Sequence, residues 1–257
     1  MSEMLRALLL ALVSVAALQP AAHALTPKEL DSIGRRVWQN ECGGSRDGLT
    51  SWNAGEGFAS LGIGHFIWYP KGMNGPYEES FPGLVGFLRE NGAKVPGWLT
   101  ADTDCPWNSK GEFQSDFRSE RMNGLRDVLA STIREQSRFL ALRMQKALPK
   151  LLAEAPAAQR DVIRDRFQKL ASSGKGTFAL IDYVNFKGEG TNPNERYRGE
   201  GWGLLQVLEG MKEGGDPVQA FSDSAANVLA RRVKNAAPKD ETRWLKGWKS
   251  RVRSYAG

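Results

Sequence analysis

Histidine and cysteine are the scarcest reactive side chains in this chain, with two of each among 257 residues. His23 falls in an apolar N-terminal stretch, so His65 is the only histidine beyond it. A lone histidine excludes histidine-rich metal centres. No spacing of carboxylates and thiols replaces them, so no metal and no cofactor is expected. A Ser-His-Asp triad would have to use His65, and the Gly-x-Ser-x-Gly elbow is missing. Phosphate-binding loops and dinucleotide fingerprints are missing as well. After the first residues, no apolar run reaches the length that spans a bilayer, so stable membrane insertion is not expected.

The apolar stretch itself reads as a targeting segment. Ala7 to Leu18 is almost continuously apolar, and Ala22-His23-Ala24 supplies the small-x-small pattern of a signal-peptidase site. Residues 1–24 are therefore expected to be a cleaved signal peptide. That leaves a periplasmic or secreted protein of 233 residues (257 minus 24). In an exported protein the pair Cys42 and Cys105 is expected to form a disulfide.

The formal charge is +6, which suits an anionic partner. The basic residues are scattered along helices and no nucleic-acid motif accompanies them, so nucleic acid is not expected to bind. Eight tryptophans are many for this length. They serve either as core anchors or as platforms for the flat apolar faces of sugars, with core the default for any one of them.

Thr26-Pro27-Lys28-Glu29 reads as a capping box with proline at the first helical position. Leu30, Ile33 and Val37 recur at helical spacing, and Gly43-Gly44 stops the helix. Residues 48–69 are rich in Gly, Ser, Thr, Trp and Phe and read as a small hairpin or irregular sheet. Residues 70–80 read as a loop, a short helix is expected after Pro82, and 92–112 is loop-rich. From about residue 115 the pattern is helical. One apolar stripe runs from Phe117 to Ile133, another from Phe139 to Leu148 and ends before Pro149, and an amphipathic helix covers 157–171. The strongly apolar segment 176–186 reads as a buried helix and 187–201 as a Gly- and Asn-rich loop. Helices near 201–212, 216–235 and 240–254 complete the chain. The composition gives one mainly α domain, 25–257, with a small β wing at about 48–69 and a helical lobe at about 115–257.

With metals, triads and phosphate loops set aside, carboxylates carry the chemistry. Glu41 sits at the C-terminal end of the first helix, where the dipole disfavours its charged form, and Trp38 is close enough in sequence to bury it in part. These are the conditions that make a general acid near neutral pH, although most helix-end glutamates are simply solvated.

Glu41 at a helix end, a Gly-rich β segment, and then Ser60-Leu61-Gly62-Ile63-Gly64-His65 together resemble the phage-type lysozymes of the lysozyme-like superfamily. In that family a catalytic glutamate closes the first long helix and a Thr-Ile-Gly-x-Gly-His-like strand closes the β wing. Ala179-Leu180-Ile181-Asp182-Tyr183-Val184-Asn185-Phe186 is similar to its buried central helix, with Asn185 toward the cleft. Gly203-Leu204-Leu205-Gln206 is similar to the Gly-Leu-Met-Gln stretch of lytic transglycosylases. The likeness covers the first third of the chain well and the helical remainder loosely. It implies an α+β, lysozyme-like, monomeric glycosidase, a muramidase or a lytic transglycosylase, that cleaves the glycan strands of peptidoglycan with Glu41 as general acid.

The sequence departs from the family at the second carboxylate. The phage enzymes carry an Asp shortly before the strand threonine. Here that place falls at Ala54, and the threonine is Ser60. Glu56 and Asp47 are the alternatives. A lytic transglycosylase needs neither, because the 6-hydroxyl of its substrate attacks. His65, between Gly64 and Phe66, is expected to hold the wing by hydrogen bonds rather than to act as a base. In the loop from Asn185 to Trp202, Tyr197 and Trp202 are the candidate sugar-stacking rings, Gln206 lies one turn beyond, and Glu189 is a rival acid. Two other expectations stand beside the leading one. A chitosanase or chitinase is disfavoured by the basic surface where the substrate is cationic. A catalytically inactive peptidoglycan-binding or envelope structural module is suggested by the missing Asp.

Overall fold

The computed structural model describes residues 24–257. The expected signal peptide, except for its last residue, lies outside the described residues. The first helix, α1 (Pro27–Cys42), begins as expected. The Thr26 side chain accepts from the Glu29 backbone N–H, and the Glu29 carboxylate takes the Thr26 backbone N–H at 2.8 Å. Gly43 ends the helix in the left-handed conformation, at φ 60°, returning its N–H to Gln39.

A three-stranded antiparallel sheet follows: β1 (Thr50–Ser51), β2 (Ala59–Leu61) and β3 (Phe66–Trp68), in that spatial order. Ser60 pairs with Ser51 on one side and Ile67 on the other. The two-residue period of a strand sends the neighbours Ala59 and Leu61 into the core and leaves Ser60 on the opposite face. Beneath the sheet, Trp68 packs against Phe81 and Trp107, and Phe113 against Trp107 and Trp52. Arg126 is fully buried and braces this wing, donating to Thr50 Oγ1 at 2.8 Å and to the Phe117 carbonyl at 2.8 Å.

The helical lobe contains α2 (Phe81–Glu90), α3 (Lys110–Ser115), α4 (Glu120–Ser131), α5 (Ile133–Glu154), α6 (Arg160–Ala171), α7 (Gly174–Lys187), α8 (Leu204–Glu209), α9 (Pro217–Asn235) and α10 (Thr242–Arg253). Helix α7 is its hub, buried continuously from Gly176 to Val184 and packed against α1, α5, α6, α8 and α9. A helix that is apolar on all sides has to be enclosed in this way. Close helix crossings depend on glycine. A Cβ on Gly176 would stand 2.1 Å from the Leu170 carbonyl, and one on Gly34 would stand 2.4 Å from Ser137 Oγ.

Three expectations change. Helix α5 runs through Pro149 instead of ending before it. Pro149 is exposed, so the carbonyl it leaves unbonded faces water, while Met144, Ala147 and Leu151 carry the buried stripe past it. The loop 187–201 contains a small ribbon, β4 (Arg196–Tyr197) paired with β5 (Glu200–Gly201). Cys42 and Cys105 form no disulfide. Both thiols are free and buried: Cys42 points at the Gly62 carbonyl (3.5 Å) and Cys105 at the Trp107 carbonyl (3.4 Å). Burial pushes each thiol up to about 12, with Glu41 adding to the effect at Cys42, so neither forms a thiolate readily.

Among the described residues, no helix is long and apolar enough to cross a membrane. Among the described residues, no group of three or more His, Cys, Asp or Glu side chains is gathered as a metal site would require.

Candidate active site

A cleft of about 520 Å³ separates the wing from the helical lobe. Glu41 reaches it from the last turn of α1, and Glu56, Ser60 and His65 from the wing. Asn185 reaches it from α7, and Glu189 and Trp202 from the segment beyond.

Glu41 is mostly buried, with 16% of its side chain exposed. Its Oε1 accepts from Arg251 Nη2 at 2.6 Å and from Asn185 Nδ2 at 3.3 Å. Its Oε2 faces His65 Nδ1 across 3.8 Å. Arg251 is in turn fixed by Asp182, with Nε to Oδ2 at 2.8 Å and Nη2 to Oδ1 at 2.8 Å. Asp182, wholly buried, also accepts from Tyr255 at 2.6 Å and Asn40 at 3.2 Å. Burial works against charge on Arg251, but the carboxylates of Glu41 and Asp182 outweigh it and hold the guanidinium protonated beyond even its ordinary range. Burial next to Asp182 likewise holds the Tyr255 phenol neutral. The result is a preorganised network in which Glu41 keeps one oxygen for the cleft.

The loop that carries His65 is tightly built. Gly62 adopts φ 72°, its Cβ position lies 2.5 Å from Gln136 Oε1, and that same oxygen accepts from the Ile63 N–H at 2.9 Å. His65, with φ 49°, is one of two non-glycine residues in the left-handed region among the described residues. Its Nε2 lies 3.4 Å from the Gly48 carbonyl. A carbonyl only accepts, so Nε2 carries a hydrogen and Nδ1 is the atom turned toward Glu41. The ring contact to Gly48 lies within the wing, and the link to α1 is the 3.8 Å approach to the candidate acid. Gly64 leaves room for Asn185, whose Oδ1 would stand 3.0 Å from a Cβ there.

The remaining predicted residues separate into two groups. Glu56 lines the cleft on the turn between β1 and β2, held by Asn53 Nδ2 at 3.0 Å. Glu189 lines it too, paired with Lys150 at 2.9 Å. Asp47 does not line it. It faces Arg118 at 3.2 Å and the buried Arg126 at 3.7 Å, and so belongs to the brace under the wing. Gln206 is buried away from the cleft, where its amide binds the Gly203 N–H and the Gly190 carbonyl and fastens the 188–203 segment. Trp202 borders the cleft but is only 8% exposed, with Tyr197 tilted against it at 4.6 Å and Arg232 over its ring at 4.1 Å. The Tyr197 hydroxyl donates to Glu241 at 3.0 Å, outside the cleft. Trp38 turns its Nε1 to the Ser45 carbonyl and is not among the cleft-lining residues.

Sequence reasoning missed Arg251, Asp182 and Tyr77. Asp182 had a signal, as the one acid in the strongly apolar segment 176–186. Arg251 had none, since it is one of several basic residues on an amphipathic helix. Tyr77, 48% exposed on the 70–80 loop and edge-on to Phe58 at 5.9 Å, is an aromatic ring the cleft does present to a ligand. No family model, no curated protein and no solved structure matches this chain.

Proposed function

We propose that this protein is an exported glycosidase of lysozyme-like fold that cuts the glycan strands of peptidoglycan, with Glu41 as general acid. The observation that carries the reading is the setting of Glu41. It stands on the wall of an open cleft, with one carboxylate oxygen fixed by Arg251 and Asn185 and the other turned toward the cleft and His65. Glycoside cleavage requires a positioned carboxyl group to protonate the leaving oxygen, and a fixed carboxyl at a cleft wall meets the geometric part of that requirement. Glu56 enters the same cleft from the wing and is the second carboxylate in a hydrolase. In a lytic transglycosylase it is dispensable.

One observation favours the alternative, an inactive peptidoglycan-binding module. The hydrogen bonds and ion pair to Glu41 are those a purely structural glutamate would make. The test is mass spectrometry of soluble products from purified sacculi, using the protein and its Glu41→Gln variant in parallel. Muropeptides released by the parent alone are expected, and their reducing or anhydro ends distinguish hydrolysis from transglycosylation. If both proteins bind sacculi and neither releases product, the enzyme reading fails and the binding module replaces it.

A further inference from the structure

Several cationic side chains line the cleft, and they differ in one respect. Arg143 faces Glu78 at 3.7 Å, and Arg232 grips Glu241 through two hydrogen bonds of 2.8 and 3.0 Å. Lys187, the last residue of α7, lines the same cleft and has neither an ion pair nor a hydrogen bond from its side chain among the described residues. Its Nζ rests instead on two aromatic faces, 3.6 Å from the Trp248 centroid and 4.0 Å from that of Phe186. An amine in this position, partly covered by the two rings, has given up part of its water without gaining a counter-ion.

We propose that Lys187 anchors a carboxylate of the bound substrate, so that this cleft selects carboxylated glycan over neutral glycan. The inference rests on the glycosidase reading above, where the carboxylate belongs either to the muramyl lactyl group or to the stem peptide attached to it. The charged groups facing Lys187 are Glu41 of α1, Arg232 of α9, Glu241 just before α10, and Arg251 of α10. Glu241 is taken up by Arg232, and Arg251 is shared between Glu41 and Asp182, so Glu41 is the acid with charge left over, and it makes no ion pair with the amine. Burial, reinforced by Arg232 and Arg251 and only partly opposed by Glu241 and Glu41, pushes the Lys187 amine down to about 6. The free protein near neutral pH then holds Lys187 mainly as the neutral amine. An incoming carboxylate supplies the missing counter-charge, the amine takes one proton from solvent, and an ammonium–carboxylate pair forms. Binding of a carboxylated strand is therefore coupled to proton uptake, while binding of a neutral strand is not.

The test is calorimetric titration of the full-length Glu41→Gln protein, which does not turn substrate over, at about pH 7.5 in buffers of different ionisation enthalpy. The probes are neutral N-acetylglucosamine oligomers, peptide-free muramyl oligomers with a free lactyl carboxylate, and peptide-bearing muramyl oligomers with the lactyl group amidated. At least one carboxylated probe is expected to bind about tenfold more tightly than the neutral one, with uptake approaching one proton. Which probe does so identifies the source of the carboxylate. Adding Lys187→Met is expected to remove both preference and uptake while keeping affinity for the neutral oligomer. Adding Lys187→Arg, which cannot become neutral, is expected to keep the preference and lose the uptake. Equal affinity for all three probes, or a preference that survives Lys187→Met, overturns the inference. If that result comes with muropeptide release by the parent protein, the glycosidase reading stands without it. If no probe binds and no product is released, both fall.

Discussion

The two walls of the cleft are built differently. The helical wall is a closed network: Glu41, Asn185, Arg251, Asp182, Tyr255 and Asn40 satisfy one another, and Asp182 has no exposure to solvent. The wing wall is open. Glu56 has a single side-chain partner, Asn53, and Tyr77 stands on a loop exposed from Lys71 to Glu79. They are linked across the cleft by Asn192 Nδ2, which donates to the Pro76 carbonyl at 3.3 Å, and by the Arg143–Glu78 pair at 3.7 Å. Under the proposed function the contrast separates two tasks. A group that must deliver a proton has to be held by a rigid shell, whereas groups that follow a long, variable strand benefit from loop positions.

Substitutions on either wall sharpen or break this comparison. The largest effect is expected for Glu41→Gln, a loss of about 10²–10⁴-fold in muropeptide release, as removal of a general acid produces. Retention of more than a tenth of parental activity would move the chemistry to Glu189 or Glu56. Next is Asp182→Ala, which leaves Arg251 with Glu41 alone and takes the buried acceptor away from Tyr255 and Asn40. Urea unfolding is expected to show a loss of about 3–5 kcal/mol, and activity should fall with it because Glu41 loses its support. A loss below about 1 kcal/mol would mean that the network is wetter than its burial indicates.

Lys187→Met tests the same wall through pH. The native amine is pushed down to about 6 and the unfolded one titrates near the ordinary lysine value of about 10.4, so between those values the unfolded chain binds the extra proton. Lys187 therefore destabilises the fold most at pH 6 and below, and that penalty shrinks as pH rises toward 10. The variant is expected to gain in melting temperature over the parent at pH 6.5, with a smaller gain at pH 9. An equal gain at both would show that Lys187 is charged in the native state.

On the wing, Glu56→Gln is expected to change stability by less than about 0.5 kcal/mol. Its effect on release should be on the order of tenfold if the product ends are reducing, and negligible if they are anhydro. The smallest effect belongs to Tyr77→Ala: a KM raised severalfold with kcat retained, as loss of uniform binding predicts. A fall in kcat instead would place Tyr77 closer to the reacting bond than the open wing suggests.

Local rules made much of the scaffold legible. The capping box at Thr26, the glycine stop after Cys42, the alternation that turns Ser60 away from the core, and the apolar run that became α7 all express interactions between residues close in sequence. The cleft membership of Glu41, Glu56, Ser60, His65, Asn185, Glu189 and Trp202 was readable because helix ends and glycine-rich strand turns are where side chains reach a groove. Pro149 was misread because the buried stripe of Met144, Ala147 and Leu151 carries the helix across an exposed proline, and that packing is not a local property.

What the sequence determined by itself, then, is where most of the helices lie and how the first begins and ends, which face of each is apolar, and that carboxylates are the candidates for any catalysis in a chain so poor in histidine and cysteine. The tertiary structure alone decided which charges meet. Arg251 lies 210 residues from Glu41, and Asp182 lies 69 from Arg251. Their pairing arises only when α1, α7 and α10 converge. It alone decided that Cys42 and Cys105 stay apart, that Asp47 and Gln206 brace loops while Glu56 enters the cleft, and that Lys187 is left with aromatic rings in place of an acid. Coulomb and hydrogen-bond energies depend on distance in space and on exclusion of water, and neither is written in the order of residues.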